Sequence, residues 1–200
     1  MRYELTTLSC SPPGMPDASE RARAWIADAV AGRLLGIWRS DIGTIGQLLV
    51  LREFDSDADL ASERERALMS ADPFGSAIGD TPIHMEPFPF LPPVAAREYG
   101  GTFEFRTYYQ KPGGLPGTMA GWRDAIQPAR AYTDHLVINM YALDGGPRIT
   151  HIWGFDSVAQ RDALRGEHYA AGLWRPKGGP ERIAHAISAI ATSEAGLPIR

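Results

Sequence analysis

The sequence predicts an α+β protein in which one β-α-β-β-α-β unit occurs twice, and three observations carry that prediction. The first is an internal repeat. When the 200-residue chain is moved along itself by 100 positions, Tyr3-Glu4-Leu5-Thr6-Thr7 falls on Phe103-Glu104-Phe105-Arg106-Thr107, and Pro12, Gly14 and Pro16 fall on Pro112, Gly114 and Pro116. Five of these 14 positions coincide, where chance at roughly one in fifteen to twenty per site predicts fewer than one. The second is Phe54-Asp55-Ser56, which recurs as Phe155-Asp156-Ser157 at a shift of 101. The third is the order of apolar periodicities, which reads as the split βαβ, or ferredoxin-like, arrangement in each half. The expected domains are residues 1–95 and 101–200.

Each element has two examples. Residues 3–10 and 103–110 are rich in β-branched and aromatic side chains and stop at Pro/Gly clusters, as strands do. Amphipathic helices follow at 17–31 and 119–133; in the first, Ala22, Trp25, Ile26, Ala29 and Val30 recur at helical spacing, and Asp17 is placed to cap it. Pro128 is expected to kink or restart the second. Two extended runs come next, 34–40 with 46–54 and 136–143 with 148–155. In the second half they are joined by Asp144-Gly145-Gly146-Pro147, a hairpin signal. Helices at 59–70 and 158–170 and last strands near 83–90 and 186–192 close each unit. A four-stranded sheet with helices on one face must cover its other face. Tandem ferredoxin-like repeats packed sheet to sheet as an α/β barrel meet that need.

Composition narrows the functional classes. Hydrophobic residues are 44% and charged residues 22% of the chain, and the net charge is -4, divided as -6 before residue 100 and +2 after it. Nothing here attracts a phosphate backbone, so no nucleic-acid partner is expected. No apolar run approaches the roughly 18 residues of a spanning helix, and Glu4 stands where a secretory core would begin, which predicts a cytoplasmic protein without a membrane partner. The single Cys10 excludes an internal disulfide and a cysteine zinc cluster. Asp55-Ser56-Asp57-Ala58-Asp59 imitates the start of a calcium loop, but Leu60 and Arg66 occupy its glycine and glutamate positions, so it reads as an acidic helix start. Nucleotide-binding glycine loops and nucleophile elbows are absent.

The segments Phe103-Glu104-Phe105-Arg106-Thr107-Tyr108, Lys111-Pro112-Gly113 and His151-Ile152-Trp153-Gly154-Phe155-Asp156-Ser157, with Arg161 and Arg165 beyond them, resemble the NIPSNAP family. Tyr3-Glu4-Leu5-Thr6-Thr7 resembles the same opening strand, so the likeness covers the chain as two successive domains. It implies the dimeric α/β-barrel superfamily, which includes cofactor-independent quinone-forming monooxygenases, heme-degrading monooxygenases and aldoxime dehydratases. The first half departs from the pattern, having Arg52 where the second has Trp153 and Thr6 where the second has Arg106. A site is therefore expected in the second half.

The candidate site residues are few. Alternation sets Glu104, Arg106 and Tyr108 on one face: a carboxylate for acid or base work, a guanidinium to hold a developing anion and a phenol to donate a proton. That row is expected to line a pocket between the sheets. Asn139, Tyr141 and Trp153 extend the ligand-binding set. His151 is the candidate base, because imidazole titrates near neutrality, although alternation groups it with Ile149, Trp153 and Phe155 on the side expected to face helices. His84 and Glu86 share a strand face and read as a solvated edge pair. In 85–93 the prolines read as a stiffened strand running into the inter-repeat linker.

Two functions follow. One is a pocket that binds or transforms a small hydrophobic or aromatic molecule without a diffusible cofactor, by monooxygenase-like or dehydratase-like chemistry; ligation of heme by a single histidine stays open. The other is a non-catalytic module that assembles homo-oligomers through apolar edges. A cavity on which the polar groups converge favours the first, and a filled core with those groups paired favours the second.

Overall fold

A computed structural model of the chain describes residues 1–75 and 83–200. It divides into two units, one comprising Met1–Glu86, Ala96–Glu98 and Ala189–Arg200, the other Pro87–Ala95 and Tyr99–Ser188. Both are ferredoxin-like, and the protein is α+β.

In unit 1 the strands are β1 (Arg2–Ser9), β2 (Arg33–Ile42), β3 (Gln47–Phe54) and β4 (Ile83–Pro87), with helices α1 (Met15–Ala27) and α2 (Asp57–Met69). Their order is β4-β1-β3-β2, and β3 is antiparallel to both neighbours. In unit 2 the strands are β5 (Thr102–Gln110), β6 (Leu136–Ala142) and β7 (Arg148–Phe155), with helices α3 (Gly114–Ile126), α4 (Arg130–Thr133), α5 (Val158–Ala170) and α6 (Gly179–Arg182). The last strand, β8 (Ile183–Ser193), lies beside β5, giving the same order as in unit 1. Its residues from Ala189 onward belong to unit 1, where they pair with β2.

The repeated Phe-Asp-Ser has a local cause. In both copies it ends the third strand and supplies the helix cap: Ser56 accepts from the Asp59 N–H and Ser157 from the Gln160 N–H, each at 3.1 Å. Satisfying an otherwise orphaned amide is worth about 1 kcal/mol. A register shift also recurs, between Leu34 and Gly36 in β2 and between Leu136 and Ile138 in β6. Between β6 and β7 the turn needs Gly145 in the left-handed region, at φ 68°. Arg148 Nη1 closes that turn onto the Asp144 carbonyl at 2.8 Å.

Several boundaries differ from expectation. Helix α1 begins at Met15 because Pro16 suits a first helical turn, so Asp17 lies inside the turn and pairs with Arg21 instead of capping. Helix α3 begins five residues before the expected 119 and ends at Ile126; Gln127-Pro128 breaks it and α4 restarts beyond. Strand β4 stops at Pro87, and the Phe88 N–H turns to the Asn139 carbonyl at 3.0 Å. Phe88, fully buried, belongs to the core of unit 2 with Trp122, Tyr132, Trp153, Phe155 and Trp174. The core of unit 1 is aliphatic by comparison, built on Leu8, Ile37, Leu48 and Val50 against Ala18 and Ala22 of α1. No helix among the described residues is long and apolar enough to cross a membrane.

Candidate functional site

The register of unit 2 places Glu104, Arg106 and Tyr108 of β5 opposite Trp153, His151 and Ile149 of β7. Directly opposed residues of an antiparallel pair share a face, so His151 stands beside Arg106 and not across the sheet from it. That face is the one covered by the unit's own helices: Trp122 of α3 lies 5.0 Å from the His151 ring, and Arg161 of α5 reaches Glu104. The expected location of the polar row, between two sheets, is thereby corrected. Phe103 and Phe105, both buried, occupy the other face and leave the polar set to the helical side.

A cavity of about 270 Å³ opens there. The sheet contributes Arg106, Tyr108 and His151; α3 contributes Thr118 and Trp122; α5 contributes Arg165 and Tyr169; and the chain from Trp174 to Ile183 closes the remaining side. The lining contains neither aspartate nor glutamate.

Glu104 stands behind this lining. It is fully buried, accepts from Arg106 Nε at 2.9 Å, from Arg161 Nε at 3.1 Å and from Ser188 Oγ at 3.2 Å, and pairs closely with a second Arg161 nitrogen. Burial pushes its carboxyl up, but the Arg161 hydrogen bond and the charges of Arg106, Arg161 and Arg165 outweigh that and hold it below the usual range. Glu104 is therefore ionised and saturated. It fixes Arg106 through Nε alone; the two Nη groups hydrogen-bond to nothing among the described residues and belong to a side chain that lines the cavity. Burial works against the Arg106 charge, yet Tyr108 and Glu104 more than restore it.

His151 is held from the other side. It is 1% exposed, and the Trp153 indole N–H donates to its Nδ1 at 2.6 Å. Indole nitrogen can only donate, so the hydrogen of the neutral ring sits on Nε2, which has no partner among the described residues. Burial, then the charges of Arg106 and Arg165, drive the pKa of His151 well below its ordinary 6.5. The ring is neutral and presents an N–H donor. Tyr108, 4.9 Å from it edge-on, is a phenol that burial keeps protonated. Trp153 is clamped by Tyr132, stacked at 4.5 Å, and by Trp174 at 5.6 Å.

Of the seven residues singled out from the sequence, Arg106, Tyr108 and His151 line the cavity. Glu104 and Trp153 support two of them from behind. Asn139 faces His151 across the β6–β7 pair and is fully buried with both carboxamide atoms unpartnered among the described residues, but neither it nor Tyr141 lines the cavity. Sequence reasoning gave no role to Thr118, Trp122, Tyr169, Trp174 or Arg175, nor to Arg161 and Arg165 beyond the resemblance. Arg161, Arg165 and Tyr169 recur every four residues along α5, a spacing that puts them on one helix face. Elsewhere, Arg64 lies 3.2 Å from His84, Arg2 pairs with Glu86, and His135 bonds the Gly154 carbonyl, so these groups serve structure. No cluster of three metal-ligating side chains occurs among the described residues.

Unit 1 holds different residues at the matching positions. Its register pairs Glu4 with Arg52, Thr6 with Val50 and Leu8 with Leu48. Thr6, Leu8 and Val50 thus stand where unit 2 has Arg106, Tyr108 and His151. Arg52 fills the place of Trp153, 1% exposed, bonded to Glu4 at 2.7 and 3.1 Å and to Glu63 at 3.1 Å, and lying over the rings of Phe54 and Phe74.

Two ferredoxin-like units in one chain, one carrying a donor-lined cavity and the other an ion cluster, define a tandem α+β protein. A putative monooxygenase from Lactobacillus acidophilus NCFM superposes with a TM-score of 0.67 at 9% identity, covering 96% of this chain and 93% of its own. An anthrone oxidase-like protein superposes at 0.65 and 13% identity, covering 96% and 91%. At such identities the likeness is one of fold. The NIPSNAP family model matches residues 3–78 and 103–193, and the chain belongs to that family. A human relative, Protein NipSnap homolog 3B, is 34% identical over 73 residues, which is 34% of this chain and only 29% of that protein.

Proposed function

We propose that unit 2 binds one small aromatic molecule against Trp122, Trp174 and Tyr169 and stabilises negative charge on one of its oxygens through Arg106 Nη, Tyr108 Oη and His151 Nε2–H. The observation that carries this reading is the set of donors converging on an aromatic-walled cavity while their counter-charge, Glu104, is withdrawn behind Arg106. Preorganised donors in a water-poor site stabilise developing oxyanions at little reorganisation cost. The part played by His151 is that of a neutral electrophilic donor, not the base expected from its residue type.

In a monooxygenase-like conversion, suggested by the names of the two fold neighbours, a ring methylene of the bound anion reacts with dioxygen: the carbon loses two hydrogens and gains one oxygen as a carbonyl, and the other oxygen leaves as water with those two hydrogens, so the ligand is its own reductant. The protein's share is to bind, orient and exclude solvent, with no diffusible cofactor. Heme does not suit the lining: an iron at His151 Nε2 needs the ring hydrogen on Nδ1, where the Trp153 N–H already points.

Native mass spectrometry of freshly purified protein, followed by a panel of one- and two-ring aromatics read by tryptophan fluorescence and oxygen uptake, tests this. Retention or binding is expected in the wild type and loss of it in Tyr108→Phe and Arg106→Ala with circular dichroism unchanged. A folded protein that binds no member of the panel sinks the reading and favours the interaction module.

A further inference from the structure

We propose that the molecule enters this cavity already ionised, as an aromatic carboxylate; the proposal rests on the small-molecule reading above. Three guanidiniums line the cavity at graded depth, Arg106 buried, Arg165 half-buried and Arg175 exposed. Arg165 and Arg175 make no ion pair among the described residues, and both lie over the ring of Tyr169, each at 5.2 Å. No lining carboxylate offsets them. The positive potential they create is felt inside, since Arg106 and Arg165 both oppose protonation of His151.

The lining also lacks a base. The Nδ1 lone pair of His151 is taken by Trp153, Tyr108 is a phenol, and Thr118 donates to Gln110 Oε1 at 2.7 Å. A phenol, with an ordinary pKa of about 10, would need a proton acceptor before it could meet these donors as an anion, whereas a carboxylic acid, at about 4, is ionised at neutral pH unaided. Two coplanar oxygens also match the fork of a guanidinium. The cavity volume lies at the lower end for ligand sites, which suits one ring or two fused rings carrying that group.

The test compares 2-naphthoate with its neutral counterpart 2-naphthamide by tryptophan quenching and calorimetry, on the wild type, Arg165→Gln, Arg175→Gln and Arg106→Gln. The naphthoate is expected to bind the wild type at least about ten-fold tighter than the amide. Arg165→Gln and Arg175→Gln, at side chains that make no hydrogen bond to Glu104, are expected to cut that preference about three-fold or more by weakening the naphthoate more than the amide, and added salt is expected to do the same. Equal binding of acid and amide, or a preference that survives both outer-arginine variants, overturns the proposal and leaves the aromatic site standing. Binding of neither overturns both. Arg106→Gln is informative only if it folds, and the outer variants carry the test in either case.

Discussion

Trp153 donates its indole N–H to Nδ1 of His151, two residues earlier on the same strand, over 2.6 Å. One hydrogen bond therefore sets the tautomer of the imidazole, and with it the sign of what the cavity offers a ligand. Replacing the indole with a ring that cannot donate, in Trp153→Phe, leaves Nδ1 buried and unmet. A loss of about 1–3 kcal/mol in chemical denaturation is expected, together with weaker binding of any ligand that uses Nε2–H.

Stability should also depend on pH through His151. Its folded pKa lies well below 6.5, so the unfolded chain takes up a proton in a range where the folded one does not. That contribution is complete above pH 6.5 and is lost as pH falls below it. Urea midpoints of the wild type at pH 7.5, 6.5 and 5.5 should decline, and the decline should shrink in His151→Asn. An unchanged slope in the variant would mean that the ring is not held neutral.

Glu104 acts in a separate, more acidic window. Its folded pKa is held below the ordinary 4.5, so its ion-pair stabilisation is present above that value and disappears as pH drops through the lowered one. Glu104→Gln leaves Arg106 and Arg161 without their carboxylate and should cost about 3–5 kcal/mol at neutral pH. Thermal melts of the variant should show less loss below pH 4 than the wild type.

In unit 1 the corresponding test separates fold from site. Arg52→Ala leaves the buried Glu4 carboxylate without its guanidinium, while Glu63 keeps Arg66, with an expected cost of about 3–5 kcal/mol. Ligand affinity, measured on the folded fraction by fluorescence titration, should not change. A change of ten-fold or more would place binding determinants in unit 1.

The fold was legible because each element occurs twice. Phe-Asp-Ser is readable as a motif from one copy, but its meaning, a strand end followed by a serine cap, emerges from both. The site was legible in part. Alternation grouped Glu104, Arg106 and Tyr108 correctly and set His151 with Ile149 and Trp153 on the helix-facing side; what it could not show is that both rows share that side, because the relation between strands is set by register, which no single strand encodes. Opposition of Arg106 to His151 joins two rows that look separate in sequence. Glu104 was read as an acid or base because carboxylates serve that way; its saturation by Arg106, Arg161 and Ser188 depends on three different elements. The arginines of α5 were visible at helical spacing, but nothing in a helix pattern says that its polar stripe faces a sheet. Trp174 and Arg175 follow the end of α5, where no periodicity applies.

The guanidinium of Arg52 also has a stoichiometric consequence. In unit 1 the place of Trp153 is taken by a cation that the chain supplies to itself, and the residues matching Arg106, Tyr108 and His151 are Thr6, Leu8 and Val50. A titration should accordingly end at one equivalent per chain with a Hill slope of one. On that outcome, duplication doubled the length of the chain and left its valence single.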